Sequence, residues 1–130
     1  MTERRPAIAT SAVATGRGDD GTTGLLYGGR IDKDDPRTEA YGSVDEAVAA
    51  LGLARVELAA AGLTELAELV LRLQRELFVV GAELAANPDA YGRLQPGVTK
   101  VSEEMLEGIE SVLADWEARV EMPREFVVPG

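Results

Sequence analysis

The stretch Thr64-Glu65-Leu66-Ala67-Glu68-Leu69-Val70-Leu71-Arg72-Leu73-Gln74-Arg75-Glu76-Leu77-Phe78-Val79-Val80-Gly81-Ala82-Glu83-Leu84 decides the fold of this chain. Leu66, Leu69, Val70, Leu73, Leu77, Val80, Gly81 and Leu84 recur at intervals of three and four, which lines one face of an α-helix and no face of a strand. Thr64 is placed to cap this helix. Asn87-Pro88 stops it, because a residue before proline is driven out of the helical region. On the N-terminal side, Ser43-Val44-Asp45-Glu46 has the spacing of a capping box, and Val44, Val48, Leu51, Val56 and Leu58 follow at helical intervals up to Gly62. A helix over 44–61 is expected, with Asp45 and Glu46 as acids of its first turn. On the C-terminal side, Ser102 opens a third helix with Glu103 and Glu104 at the positive end of its dipole. Its apolar face is Met105, Leu106, Ile109, Val112, Leu113, Trp116 and Val120, and Pro123 ends it. The pattern predicts an all-α, up-down antiparallel bundle, followed by an apolar tail, Phe126-Val127-Val128-Pro129-Gly130, that needs something to pack against.

Composition narrows the chemistry. The 130 residues are 45% apolar and 28% charged, which suits one ordinary globular domain. The net charge of −10 speaks against a phosphate-neutralising coat on nucleic acid. With no Cys and no His, disulfides, Cys/His zinc sites, thiol nucleophiles and imidazole bases are excluded. No run reaches the length of a membrane span and the N-terminus lacks a secretory signal, so no membrane association and a cytoplasmic location are expected. Residues 1–40 carry six basic and seven acidic groups, whereas residues 41–130 carry seven and sixteen. An anionic ligand is therefore tolerated only near the first segment.

That first segment is also where glycine concentrates: Gly16, Gly18, Gly21, Gly24, Gly28 and Gly29 fall within fourteen residues. It reads as a long loop, too glycine-rich for a helix or a regular strand. Gly16-Arg17-Gly18-Asp19-Asp20-Gly21 matches G-x-G-x-x-G in letters only, since no strand precedes it and no helix follows, and no Lys follows Gly21 to make a Walker A loop. Two readings stay open. The loop is a solvated connector, or Thr15, Thr22 and Thr23 converge with bare backbone amides on phosphate oxygens while Lys33 and Arg37 add positive charge. Lys33-Asp34-Asp35-Pro36-Arg37 likewise reads plainly as a turn with solvated charges.

Further residues stand in a characteristic order: Thr15-x-x-Gly18-Asp19-Asp20-Gly21-Thr22-Thr23-Gly24-Leu25-Leu26, then Gly29-Arg30, Lys33-Asp34-Asp35-Pro36-Arg37, Glu39-Ala40-Tyr41-Gly42-x-Val44-Asp45-Glu46, Leu51-Gly52, Leu73-Gln74-x-x-Leu77-Phe78-x-x-Gly81-Ala82-Glu83-Leu84 and Phe126-Val127-Val128-Pro129-Gly130. In this order the blocks resemble the PduO-type ATP:corrinoid adenosyltransferases, from about residue 15 to the last residue. The resemblance implies transfer of the 5′-deoxyadenosyl group of ATP to cob(I)alamin, with adenosylcobalamin and triphosphate as products. It implies a homotrimer of five-helix bundles with the active site between neighbouring subunits. Thr15, Gly16, Arg17, Gly18, Asp19, Gly21, Thr22 and Thr23 would wrap the triphosphate, helped by Lys33 and Arg37. Lys33 and Phe126 would be the catalytic pair, Phe126 lying beneath the corrin and displacing the lower axial ligand of cobalt. Asp45 would pair with an Arg of the adjacent subunit.

Under this resemblance the organisation is a single helical domain, with a flexible N-terminus over 1–14, a phosphate-binding loop over 15–42 and helices over 43–130. Relatives carry two further helices after the Pro-Gly, so the chain is expected to be truncated at its C-terminus and to show only three of the five. Mg²⁺ is implied by ATP, with no ligand set evident in the sequence. A reductase supplying cob(I)alamin and an adenosylcobalamin-dependent enzyme are the implied partners. The residue inventory suits the chemistry independently, because cob(I)alamin is itself the nucleophile and asks for no His or Cys. The alternative is a non-catalytic truncated relative that binds ATP or cobalamin, or serves only in oligomerisation.

Overall fold

A computed structural model describes residues 10–129. Most of the N-terminus expected to be flexible, and Gly130, lie outside the described residues. The elements are β1 (Thr22–Gly24), β2 (Arg30–Asp32), α1 (Pro36–Ala60), α2 (Thr64–Leu84), a short 3₁₀ helix (Pro88–Arg93) and α3 (Glu103–Arg119). The helical body is as expected, but the glycine-rich segment is not all loop. All its glycines but Gly24 lie outside the paired residues, and β1 and β2 form an antiparallel hairpin with Thr22 opposite Asp32, Thr23 opposite Ile31 and Gly24 opposite Arg30. Tyr27, Gly28 and Gly29 turn the chain with positive φ values of 67°, 96° and 82°.

Helix α1 begins at Pro36, eight residues before the expected start. Asp35 takes the N-cap position, its carboxylate accepts from the Arg37 amide at 2.7 Å, and Pro36 follows at the first helical position. Proline there needs no N–H and already has the helical φ, so the Asp-Pro pair overrides the later capping box. Ser43 consequently lies inside the helix, where its hydroxyl donates back to the Glu39 carbonyl at 2.9 Å. Asp45 and Glu46 are not first-turn acids; Glu39 is. The far end closes as a Schellman turn. Leu63 N–H donates to Leu58 O at 2.9 Å, Gly62 N–H to Ala59 O at 3.1 Å, and Gly62 supplies the left-handed φ of 73°. That turn runs straight into α2, so Leu63 rather than Thr64 stands at the cap, without a side-chain bond.

Helices α1 and α2 pack as an antiparallel hairpin across small residues. Gly52 admits the Gln74 amide, whose nitrogen would lie 3.3 Å from a Cβ at that position, and Gly81 faces Val44. Gln74 is buried and satisfied at both ends, donating to Val48 O at 2.9 Å and accepting from Arg55 at 3.0 Å. Ser102 caps α3 as expected, accepting from Met105 N–H at 3.4 Å, although α3 ends at Arg119, short of Pro123. Near its start Val101 N–H donates to Glu83 of α2, and at its end Arg119 holds Glu65 with bonds of 2.6 and 2.7 Å. α3 thus runs antiparallel to α2, which completes the up-down order. Between them lies an apolar cavity of about 260 Å³ lined by Leu69, Leu73, Ile109, Val112, Leu113 and Trp116, with the stem of Arg72.

The Leu and Val stripe of α2 is only half-buried. Three helices leave each helix an open side, and among the described residues Ala86 and Leu94 are the buried apolar ones. Leu53, Val56, Phe78, Leu106, Leu113 and the segment Phe126–Val128 are exposed.

Candidate functional site

The hairpin is fastened to the end of the helical body where α2 stops and α1 starts. Leu26 N–H donates to Ala85 O and Leu26 O accepts from Asn87 N–H, both at 2.9 Å, on either side of the fully buried Ala86. Arg93 stacks over the Tyr27 ring at 4.5 Å, and the Tyr27 hydroxyl lies 3.4 Å from that of Thr99. From this base the segment Thr15–Gly21 arches over the mouth of the hairpin. Gly16 and Gly21 have φ of 67° and 87°, and the turns are closed by Asp19 N–H to Gly16 O and Gly21 N–H to Gly18 O, both 3.2 Å. Arg17 N–H goes to the Thr15 hydroxyl at 3.4 Å and Thr22 N–H to the Asp20 carboxylate at 3.0 Å. The amides of Gly16 and Gly18 find no acceptor among the described residues. Alternate bare amides in a turn of this kind form an anion-binding concavity.

Lys33 is brought into this arch. Its amide donates to Gly21 O at 2.9 Å, and its side chain lies over Gly18 so closely that a Cβ there would sit 3.0 Å from both Cε and Nζ. Among the described residues its ammonium group has no ion-pair partner. On the α1 side it borders a recess of about 180 Å³ shared with Thr38, Glu39, Gly42, Ser43 and Glu46. The structure therefore unites Thr15, Gly16, Arg17, Gly18, Asp19, Gly21, Thr22 and Lys33 in one small region, whereas Thr23, next along β1, turns to the opposite face of the hairpin from Thr22.

The other singled-out residues are not gathered there. Arg37 is turned toward the end of α2, where its Nη1 donates to Leu84 O at 2.8 Å and Ala86 O at 3.4 Å, placing a cation on the negative end of that helix. Asp45 is exposed on α1 with no ion-pair partner among the described residues. Phe126 is fully exposed on the extended segment beyond α3, which departs from the end of α2 opposite the glycine arch.

Sequence reasoning missed Arg30. Its Nε donates to the Thr22 hydroxyl at 2.9 Å and its Nη2 to Arg17 O at 2.7 Å, while Asp20 lies 3.7 Å away. No local pattern announces such a clasp; the one available signal was an Arg directly following the hairpin glycines. The Asp20 carboxyl is held below its ordinary value by the Thr22 amide, then the Thr22 hydroxyl and the nearby Arg30 charge. Among the described residues no group of three or more acidic side chains converges to cage a metal ion.

A family model described as cobalamin adenosyltransferase matches residues 13–130. The chain is 40% identical over 118 residues to a corrinoid adenosyltransferase of Citrobacter freundii, across 91% of this chain and 64% of that protein. It is 37% identical over 119 residues to the corrinoid adenosyltransferase PduO of Salmonella typhimurium, across 92% of this chain and 34% of that one. Among solved structures, a variant of the Lactobacillus reuteri PduO-type ATP:corrinoid adenosyltransferase complexed with cobalamin and ATP aligns with a TM-score of 0.74 at 27% identity. That alignment covers 89% of this chain and 62% of the other. The chain thus spans from about one third to somewhat under two thirds of the length of these relatives.

Proposed function

The chain belongs to the cobalamin adenosyltransferase family, and from this premise we propose that it takes part in moving the 5′-deoxyadenosyl group of ATP onto cob(I)alamin. The electron pair of cobalt(I) forms the Co–C5′ bond, the C5′–O bond breaks, and triphosphate leaves with that bond's electrons. The protein's task is to hold C5′ in line and stabilise charge on the departing triphosphate, which is positioning and electrostatics rather than covalent catalysis.

The observation that carries this reading is Lys33 lying against Gly18, in a turn where the Gly16 and Gly18 amides find no acceptor among the described residues. Thr15, Arg17, Asp19 and Gly21 complete the wall, with Thr22 and Thr23 backing it from the hairpin, and Lys33 meets the charge that grows on the leaving oxygens. Arg37 adds its field from the α2 terminus. Magnesium would travel on the triphosphate, whose oxygens supply ligands of the kind it prefers. Phe126 would serve the corrin: a bare aromatic on an extended segment is suited to lie beneath a flat macrocycle and keep water from its lower face. Its departure from the end opposite the arch favours a site completed between neighbouring copies of a homotrimer, with Asp45 at that boundary.

A cytoplasmic location, a cob(I)alamin-supplying reductase and an adenosylcobalamin-consuming enzyme follow from the same reading. Among the described residues no helix is long and apolar enough to cross a membrane. The test is to mix the protein with chemically reduced cobalamin, ATP and Mg²⁺ under anaerobic conditions. A light-sensitive alkylcobalamin and equimolar triphosphate support the reading; binding of ATP without either product would leave the non-catalytic binding module in its place.

A further inference from the structure

We propose that Arg30 is a positioning residue which, acting through Thr22, holds the glycine arch in the shape that receives the triphosphate; the inference rests on reading that arch as an ATP site. Arg30 stands opposite Gly24 in the hairpin, where no side chain competes for the space across the strands. Its guanidinium therefore reaches diagonally to Thr22, on the same strand face as Gly24. Nε donates to the Thr22 hydroxyl at 2.9 Å, and Nη2 donates to Arg17 O at 2.7 Å. The hydroxyl in turn donates to Asp20 Oδ1 at 2.8 Å, and Arg30 Nη2 lies 3.7 Å from the same oxygen.

A hydroxyl has one hydrogen. That of Thr22 is spent on Asp20, and its backbone amide is spent on the same carboxylate. Thr22 accordingly works as a strut inside the arch and donates nothing to a phosphate, leaving that work to Lys33 and the Gly16 and Gly18 amides. The two points Arg30 grips, Arg17 and Thr22, bracket the segment containing Gly18 and Gly21, whose glycines would otherwise leave it many conformations. The planar guanidinium bonds both points through N–H groups fixed in different directions, a spread that the compact ammonium of a lysine lacks.

The test compares Arg30→Met, Thr22→Val and the double variant by ATP titration and steady-state kinetics. Losing a charged hydrogen bond that orders the arch should raise Kd and KM for ATP about tenfold or more in either single variant. The KM for cob(I)alamin and kcat should stay within about threefold. The double variant should be no worse than the poorer single one, because both break one linkage, and Thr22→Ser should restore ATP affinity. Unchanged ATP affinity in Arg30→Met, or multiplying penalties in the double variant, would overturn the inference while leaving the ATP site standing. If wild-type protein binds no ATP, both fail. Should Arg30→Met not fold, Thr22→Val against Thr22→Ser carries the same decision.

Discussion

At the scale of single residues, the arrangement depends on a glycine placed where any side chain would collide. A Cβ on Gly18 would lie 2.9 Å from the Thr22 carbonyl oxygen and 3.0 Å from the Lys33 terminus, so the arch and hairpin backbones must move apart and the lysine must give way as well. Gly18→Ala should therefore weaken ATP binding while leaving the far-UV circular dichroism of the helices unchanged; equal affinity in the two proteins would place Lys33 outside the site. Asp20 gives a pH signature. Its folded-state pKa lies below its ordinary value of 3.8, so the order it lends to the arch is complete above that value and is lost as pH falls through the lower folded value. The Thr22 amide resonance should titrate in that acid window, and a resonance that moves only near neutrality would contradict the bond. Because Asp20 is exposed and bonds only within the arch, this titration should leave the helices intact.

At the scale of elements, α1 depends on a start signal that also joins the arch to the bundle. Asp35 caps the helix, and the one hydrogen of the Thr38 hydroxyl is shared between the carbonyls of Lys33 and Asp35, 2.7 and 2.6 Å away, so the residue carrying the ammonium group and the first turn of α1 are one unit. Asp35→Ala should cost about 1 kcal/mol in unfolding free energy, as other lost caps do, and should also blur the placement of Lys33. Thermal unfolding and ATP titration of the same variant would show both effects; a stability loss without change in affinity would separate cap from site. This junction is also where reading the sequence fell short. Helices α2 and α3 were legible because their apolar residues repeat at helical intervals and their ends carry Asn-Pro and Ser signals. The first two turns of α1 were not, since Asp35-Pro36 is equally good turn chemistry and the later Ser43 capping box competes with it as a start signal. The hairpin was hidden for a related reason: its short strands hold by pairing and by the Leu26 tether to the end of α2, neither of which leaves a local period. Gly18, Thr22 and Lys33 could be singled out from the order of their motifs, whereas Arg30 acquires its role only through contacts across the hairpin.

At the scale of the whole molecule, two parts of the proposed chemistry stand apart. The arch sits where α1 begins and α2 ends, while the segment bearing Phe126 leaves from the opposite end, and several apolar side chains of the helices face outward. The proposed homotrimer would cover such faces and bring the two parts together from neighbouring copies. Division of labour between the parts makes a simple expectation: Phe126→His should leave ATP affinity alone and slow the alkylation of cob(I)alamin, and loss of ATP binding would show that Phe126 serves the nucleotide instead. The central claim is that the arch and Lys33 grip the phosphate tail of ATP. Calorimetric titration of the protein with Mg²⁺ and ATP, repeated on Lys33→Ala, tests it most directly. The account predicts saturable uptake by the wild type and, in the variant, a clear loss of affinity with turnover lower by about two orders of magnitude, as when one preorganised donor is removed. Identical binding by the two proteins, or none by a folded wild type, would contradict it.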